Sequence, residues 1–398
     1  MLPRFAAEKI ETLRQGFPIV AITGPRQSGK TTLAQACFDG YEYLNLEDLD
    51  LREEAENDPR GFLARRKSGF ILDEAQRVPA LFSYLQGYVD QRREMGQVVL
   101  TGSQNFLLLE SITQSLAGRV ALFELLPLST AEAAPKLPKD LSLGSLIFQG
   151  LYPALYDRPL AAADWHSRYL QTYIERDVRQ IKNISNLKTF QRFLKLCAGR
   201  IGQLLNTNSL AGDLGVDIKT VQSWLNILEA SYIIFRLPPH HQNFRKRLVK
   251  QHKLYFTDTG IAASLLGIET PAQLETHFLR GGLFENYVIL EFLKQRYNAG
   301  RPSNLYFWRD HVGNEVDLLL DQAGTLTPIE IKSGATLSTS LYDSLKRFAH
   351  IAGSGAPRGH LIYGGDRSVD RQEGPAHSWR RFKQTDWHQS FSKQPNDL

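Results

Sequence analysis

Residues 19–36 read IVAITGPRQSGKTTLAQA, and this stretch organises the N-terminal part of the chain. The apolar run at its start predicts a buried strand, and the pattern from Lys30 onward predicts a helix. Between them, Gly24 and Gly29 permit backbone conformations that other residues avoid, so successive amides can point at phosphate oxygens near the positive end of the helix. A strand, a glycine-rich loop and a helix in this order predict a site for a nucleoside triphosphate, with ATP as the expected cofactor.

The polar residues of this loop have separate predicted roles. Lys30 supplies a mobile cation for the β- and γ-phosphates, and Thr31 offers a hydroxyl to a bound magnesium ion, Mg2+. A chance glycine-rich turn is the alternative, and the flanking strand and helix argue against it. The predicted nucleotide-binding residues are Gly24, Pro25, Arg26, Gln27, Ser28, Gly29, Lys30, Thr31 and Thr32.

The composition indicates a globular protein of two or three domains, because the chain has 398 residues of which 42% are hydrophobic. No apolar run is long enough to span a bilayer, and the start, MLPRFAAEKIETL, has the pattern of an amphipathic helix, not of a secretion signal. Cys37 and Cys197 lack metal-ligand spacing and are expected to be plain core thiols in a reducing compartment. We therefore expect a cytoplasmic protein without a membrane partner.

Charge is unevenly distributed along the chain. Of 47 Lys and Arg and 42 Asp and Glu in total, residues 1–134 hold 14 and 18, which leaves 33 and 24 for the remainder. The C-terminal part is therefore the basic one. A basic part favours a nucleic-acid partner, although an ordinary solvated surface has the same composition.

A second apolar run, residues 70–72, ends in Asp73 and Glu74. At the carboxyl end of a buried parallel strand, Asp73 is placed to hold Mg2+, directly or through water, and Glu74 to orient and activate the attacking water. Such acidic pairs also follow apolar runs by chance, but the phosphate loop upstream favours the functional interpretation.

Polar residues follow a third predicted strand, residues 97–100, in the sequence TGSQN. Ser103 and Gln104 are candidates for contacts beside the γ-phosphate that report its presence to the rest of the fold. A strand-to-helix turn capped by Ser103 explains the same residues equally well. The sequence LAGR, residues 116–119, then ends a helix before a further strand, residues 120–125.

Together, the motifs GPRQSGKTT, LDEAQ, LTGS and LAGR resemble the AAA+ branch of the P-loop ATPases, in particular its bacterial and archaeal members with an uncharacterised C-terminal domain. The resemblance covers essentially the whole chain. It implies a homo-oligomer in which Arg119 acts in catalysis by reaching the γ-phosphate of the neighbouring subunit. Alternatively, Arg119 complements the dipole at the C-terminal end of its helix. We recognise no clear second sensor arginine in a helical lid.

The expected fold class is α/β, in four segments. Residues 1–134 are expected to form a parallel-sheet AAA+ ATPase domain, and residues 135–200 a linker followed by a helical lid or connector. Residues 201–257 are expected to form a winged helix-turn-helix, and residues 258–398 a restriction-endonuclease-like α/β domain.

The winged helix-turn-helix is predicted from two helices, residues 209–214 and 218–230, followed by a β-like run, residues 232–237. The second helix has an apolar face, which leaves polar side chains outward, where they suit base edges and phosphates. Winged helices also dock proteins, so this alternative stays open. The predicted wing sequence, HHQNFRKRLVKQHK, is basic, and DNA is the expected ligand. The predicted nucleic-acid-binding residues of the second helix and the wing are Lys219, Thr220, Gln222, Ser223, Arg245, Lys246 and Arg247.

The last segment resembles the restriction-endonuclease-like fold in the order of its charged residues: a helix with Glu285, then Asp317 in NEVDLLL, then Glu330 and Lys332 in PIEIKSG. Alternate residues of a strand share a face, so Glu330 and Lys332 are predicted to point the same way. The three carboxylates would form an oxygen cage for Mg2+, and Lys332 would position or deprotonate a water beside a scissile phosphate. A solvent-facing hairpin with ordinary charges is the alternative, and such folds are also retained for binding without cleavage.

Three functions fit these predictions, and the residues favour the first. It is an ATP-hydrolysing machine that couples nucleotide turnover to binding or remodelling of a nucleic-acid complex. The second is an ATP-dependent switch that assembles a protein complex, with an inactive nuclease-like module for binding. The third is a metal-dependent nuclease that ATP merely licenses, which cleavage dependent on Asp317 would identify.

Overall fold

The computed structural model describes residues 2–66, 69–103, 115–173, 186–240, 250–353 and 358–384. The chain divides into two compact units. Unit 1 comprises Met1–Leu128, Ala230–Tyr232 and Arg296–Pro302, and unit 2 comprises Ser129–Glu229, Ile233–Gln295 and Ser303–Leu398. Four residues with a predicted role lie outside the described ranges, namely Gln104, Arg245, Lys246 and Arg247.

The described part of unit 1 is built on a sheet of five parallel strands in the order β2-β3-β4-β1-β5, with β4 in the centre and β1 between β4 and β5. Parallel strands need crossover connections, which here contain helices. The strands are β1 Ile19–Thr23, β2 Glu42–Asn45, β3 Phe70–Asp73, β4 Val98–Gly102 and β5 Val120–Glu124. The helices are Ala6–Gly16, Lys30–Cys37, Leu49–Asn57, Pro59–Ala64 and Ala80–Arg92, with a 3-10 turn at Ala75–Arg77.

Apolar residues cover both faces of this sheet. Ile19 and Ala21 of β1 belong to one buried cluster, and Val20 and Ile22 belong to another. Successive side chains of a strand point to opposite faces, so an uninterrupted apolar run is what a strand buried on both sides requires. This confirms the prediction of a buried strand before the phosphate loop.

Unit 2 contains a mixed sheet of six strands in the order β12-β13-β11-β10-β9-β8 and a separate antiparallel pair, β6 and β7. The antiparallel pair is β6 Ile234–Leu237 and β7 Lys253–Phe256. The larger sheet consists of β8 Leu305–Arg309, β9 Glu315–Gln322, β10 Thr325–Lys332, β11 His360–Tyr363, β12 Val369–Arg371 and β13 Gly374–Ser378.

Unit 2 also contains helices that precede, separate and follow these strands in the chain. Two of these helices, Ile218–Ala230 and Arg280–Asn298, end in residues assigned to unit 1. The α-helices are Thr130–Ala133, Leu143–Gln149, Ala154–Asp157, Ala162–Tyr173, Leu187–Ala198, Thr207–Leu214, Ile218–Ala230, Thr259–Leu265, Pro271–Thr276, Arg280–Asn298 and Asp343–Ala352. Short 3-10 helices are Ala134–Lys136, Thr339–Tyr342 and Trp379–Lys383.

The helix Ile218–Ala230 has the predicted bounds and the predicted buried face of Val221, Trp224, Leu225 and Leu228. The following strand is shorter than expected. It begins at Ile234 and not at residue 232, because Tyr232 has a backbone φ of 55°, which extended strands exclude.

Within the described ranges, no helix combines the length and the apolar character that crossing a bilayer requires.

Candidate nucleotide site and carboxylate cluster

The phosphate loop of unit 1 has a backbone that requires glycine at two positions. Gly24 has a φ of 149°, and a Cβ placed there would lie 2.1 Å from the carbonyl oxygen of Leu125. Gly29 has a φ of 92° and is the residue before the helix Lys30–Cys37. A side chain at either position would strain the loop, so these glycines keep its amides available at a helix N-terminus.

The loop also holds polar side chains that a phosphate ligand can use. Lys30 is only 6% exposed, and its Nζ donates to the carbonyl oxygen of Pro25 at 2.7 Å. Ser28 is fully buried, and its Oγ has no hydrogen-bond partner within the described part of the chain. A buried hydroxyl without a partner is costly unless a ligand satisfies it, so the loop fits the triphosphate that its sequence implies.

The carboxylate of Asp73, the last residue of β3, is held by four donors. Its Oδ2 accepts from Thr31 Oγ1 at 2.9 Å and from the Tyr43 hydroxyl at 2.6 Å. Its Oδ1 accepts from the Glu74 amide at 3.2 Å and from Thr101 Oγ1. The fold thus brings together Thr31 and Asp73, the two residues predicted to hold Mg2+.

Tyr43 was not identified from the sequence. Burial and the hydrogen bond to Asp73 raise the pKa of Tyr43, so its hydroxyl keeps its proton and remains a donor. The available signal is the alternation in β2, which places Tyr43 and Asn45 on one face. Only the register between strands, which pairs Asn45 with Asp73, identifies the partner.

Glu74 lies directly after β3 in a left-handed backbone conformation, with a φ of 52°. Such a conformation costs a residue other than glycine about 1 kcal/mol. Its Oε2 accepts from Ser103 Oγ at 3.1 Å and from Gln76 Nε2. Ser103 therefore contacts the carboxylate of Glu74, the residue predicted to activate water. Gln76 is a further contact of this carboxylate, and it was not identified from the sequence.

Arg119 is paired within its own unit. Its Nε and Nη2 donate to Asp90 Oδ1 at 2.7 Å and Oδ2 at 2.8 Å, and Nη1 donates to the Ala117 carbonyl at 3.2 Å. The hydrogen bond from Arg119 lowers the pKa of Asp90, so this carboxylate stays ionised. Any action of Arg119 on a neighbouring subunit requires this two-bond ion pair to open.

A tyrosine distant in sequence also belongs to unit 1 beside the start of the phosphate loop. The Tyr232 hydroxyl lies 2.8 Å from Oγ1 of Thr23, the residue before Gly24, and donates to Glu124 Oε1 at 3.1 Å. Burial raises the pKa of Glu124, and the hydrogen bond from Tyr232 opposes that rise. No local pattern in the sequence points to this contact.

In unit 2, three of the four residues predicted for the nuclease-like site lie together. Asp317 Oδ2 accepts from the Ile331 amide at 2.8 Å and from Lys332 Nζ at 3.4 Å. Lys332 also forms an ion pair with Glu330. Burial raises the pKa of Glu330 to about 7, and the negative charge of Asp317 adds to this rise.

Glu285 has a different main partner. Its Oε1 accepts from Lys253 Nζ at 2.8 Å and from the Tyr255 hydroxyl at 2.5 Å. Among the described residues, no group of three or more His, Cys, Asp or Glu is arranged to hold a metal ion. In this structure, Lys253 pairs with Glu285, and Lys332 pairs with Asp317 and Glu330.

The predicted nucleic-acid residues of the helix Ile218–Ala230 differ in exposure. Lys219 and Gln222 are exposed, and Ser223 is half-buried. The Thr220 hydroxyl donates to Asp217 Oδ2 at 2.7 Å, and the Thr220 amide donates to Oδ1 at 2.8 Å. Thr220 therefore helps to cap the helix, a role that the sequence analysis did not assign to it.

These features define a P-loop nucleotide-binding domain, and comparison with protein families agrees. Residues 16–134 match the family described as AAA domain, and this match supports ATPase activity. Residues 141–272 match a domain of unknown function, DUF8612, and residues 280–382 match another, DUF4143. The chain therefore contains an AAA-type ATPase domain followed by two domains without an assigned function.

The relatives that match most of the chain carry the name uncharacterized protein. Proteins of Mycobacterium tuberculosis and Mycobacterium bovis are 31% identical over 346 residues, which is 85% of this chain and 75% of theirs. The protein belongs to the family of these mycobacterial proteins. A protein of Haemophilus influenzae is 21% identical over 314 residues, 71% of this chain and 76% of its own.

Solved structures resemble parts of the chain at a low level. The Walker-type ATPase of Pyrococcus abyssi has 13% identity and a TM-score of 0.42, covering 65% of this chain and 94% of its own. A RuvB variant of Thermotoga maritima has 18% identity and a TM-score of 0.29, covering 58% and 86%.

Proposed function

We propose that this protein hydrolyses ATP as an AAA+ oligomer and couples the turnover to binding or remodelling of a nucleic-acid complex, with DNA as the ligand. The observation that carries the ATPase part is the arrangement at the end of β3. There, Asp73 accepts a hydrogen bond from Thr31 of the phosphate loop, and Glu74 accepts one from Ser103, which follows β4.

Each residue of this arrangement has a separate task in hydrolysis. The loop amides and Lys30 would hold the phosphates, and Thr31 and Asp73 would hold Mg2+. When bound, Mg2+ neutralises charge on the β- and γ-phosphates. Glu74 orients the attacking water and accepts its proton. Ser103 and Gln76 donate hydrogen bonds to the Glu74 carboxylate and so hold it in the rotamer that faces the water.

Ser103→Ala is expected to slow ATP hydrolysis by about five- to tenfold with an unchanged KM, because Glu74 loses one hydrogen bond worth about 1 kcal/mol. Steady-state kinetics measure this effect. Ser83→Ala is the control, because Ser83 is exposed and its hydroxyl lies 3.4 Å from the hydroxyl of Ser115, away from Glu74. An increased KM with an unchanged kcat would instead assign Ser103 to nucleotide binding.

Two features support the nucleic-acid part. Lys219 and Gln222 are exposed on the helix Ile218–Ala230, opposite its buried face. The sequence that follows β6 is basic and includes Arg245, Lys246 and Arg247. Phosphate contacts of this kind give affinity that does not depend on sequence and falls with salt.

Replacing Arg245, Lys246 and Arg247 with alanine is expected to weaken DNA binding and to flatten its salt dependence. Each lost phosphate contact reduces the log-log slope by about 0.9 on duplex DNA. A salt titration by fluorescence anisotropy measures the slope. Alanine at Lys139, Lys346 and Arg347 removes the same charge from other exposed positions and should leave it unchanged. Equal slopes for the wild type and the first variant would place the contact surface elsewhere.

ATPase assays with and without nucleic acid test the whole proposal. We expect DNA to stimulate hydrolysis. We also expect ATP to change DNA affinity and DNA to change ATP affinity by the same factor, since coupling between binding sites is reciprocal. Hydrolysis that no DNA or RNA alters would contradict the proposal. The ATP-dependent protein-assembly switch would then be the better description.

A further inference from the structure

Lys253, the first residue of β7, lies within an acidic cluster of unit 2 that consists of Glu285, Glu315 and Asp317. Its side chain is 2% exposed, and its Nζ contacts Glu285 Oε1 at 2.8 Å and Glu315 Oε1 at 2.5 Å. The ammonium also lies 5.6 Å from the centre of the Phe307 ring. A buried ammonium is stable only when carboxylates and other electron-rich groups surround it in this way.

The backbone around Lys253 fixes its position. β7 pairs with β6 in antiparallel register, with Lys253 opposite Leu237. Residue Leu204 forms a second bridge to Lys253. The ammonium therefore extends from a strand that is held on both sides.

The carboxylates around Lys253 are already occupied by other donors. Glu285 Oε1 also accepts from the Tyr255 hydroxyl, and Glu315 Oε2 accepts from Arg309 Nη1 at 2.8 Å. Asp317 accepts from the Ile331 amide and from Lys332. A divalent ion would have to displace these donors and would meet the positive charge of Lys253.

We infer that Lys253 is a built-in cation that closes this cluster to divalent metal ions, and that replacing it opens a site formed by Glu285, Glu315 and Asp317. An endonuclease-like fold implies a metal ion at such carboxylates, and here the Lys253 ammonium occupies the place between Glu285 and Glu315. This inference involves neither ATP nor the proposed nucleic-acid function.

The test is Mn2+ binding to the full chain, with Asp73→Asn in every protein to remove the metal site at the nucleotide loop. Lys253→Met is expected to bind one Mn2+ per chain more than the parent protein by equilibrium dialysis. Mn2+ should also raise the Tm of Lys253→Met, because the ion replaces the lost charge. Adding Glu285→Gln should abolish both effects.

Two control variants separate this role from general stability. Lys294 is also buried, with 1% exposure, and forms an ion pair with Glu291 at 3.3 Å. Lys294→Met should lower the Tm, because it leaves the buried Glu291 without its ammonium partner, and it should not create Mn2+ binding that Glu285→Gln abolishes. Lys253→Arg keeps the positive charge and should bind no more Mn2+ than the parent protein.

Three results would overturn the inference. One is a Mn2+ site in the parent protein that Asp317→Asn removes. Another is a folded Lys253→Met that binds no additional Mn2+. The third result applies if Lys253→Met does not fold without metal, in which case Lys253→Gln serves as a milder variant. If Mn2+ restores the fold of neither variant, the ion does not replace the lysine and the inference fails.

Discussion

Glu74→Gln is expected to bind ATP with near wild-type affinity and to hydrolyse it about 10² to 10⁴ times more slowly, the usual contribution of a positioned general base. The amide has nearly the volume of the carboxylate, and its oxygen can still accept from Ser103 and Gln76. The phosphate loop, Thr31 and Asp73 are unchanged. Binding and chemistry are therefore expected to separate, which single-turnover kinetics with labelled ATP measure.

The control for this variant is Glu42→Gln. It removes one negative charge from the same unit, but Glu42 lies at the start of β2, where its half-exposed side chain pairs with Arg66. An exposed carboxylate of this kind contributes little, so the hydrolysis rate of Glu42→Gln should stay close to wild type. Steady-state hydrolysis by Glu74→Gln at a wild-type rate would remove Glu74 from the proposed role and point to another base.

Mixing two inactive proteins tests the proposed oligomer. Lys30→Ala is expected to lose nucleotide turnover, because the phosphate loop loses its cation. Arg119→Ala is expected to bind ATP normally and to hydrolyse it about 10³ times more slowly, the lower end of what an arginine supplied across an interface is worth. In a mixture, Arg119→Ala subunits provide an intact loop and Lys30→Ala subunits provide the arginine, so partial activity should return.

Asp90 provides a second measurement for the same proposal. If Arg119 acts on a neighbouring subunit, its bonds to Asp90 must open, and Asp90→Asn should hydrolyse ATP at the wild-type rate or faster. If Arg119 only stabilises its own unit, Asp90→Asn and Arg119→Ala should lower the Tm alike, and mixing should restore nothing. Co-assembly of the two proteins must be verified by native mass spectrometry, since absence of rescue is informative only in mixed oligomers.

Most of the nucleotide-binding fold could be predicted because its signals are local. Apolar runs that form β1 and β3 are read directly from neighbouring residues, and both strands end where the loop and the acidic pair begin. Helix Ile218–Ala230 also has its predicted bounds. In each case, the periodicity of adjacent side chains specifies the element.

Contacts between distant segments could not be predicted in the same way. The bond from Tyr43 to Asp73 depends on the register of two parallel strands, and that from Gln76 to Glu74 depends on a left-handed backbone turn. Neither feature leaves a periodic signal in the sequence. The predicted residues were therefore brought together, but the donors that hold them were missed.

The amino-acid sequence by itself determined the phosphate loop, its two glycines and the acidic pair after β3, because backbone sterics and strand alternation act between neighbours. Only the tertiary structure decided which cations pair with the carboxylates of the C-terminal part. The order of charged residues predicted that Glu285, Asp317 and Glu330 share a site, but it did not reveal that Lys253, from another strand, pairs with Glu285. Electrostatic compensation acts through space, so the chain order of the charges does not reveal which cation a buried carboxylate will meet.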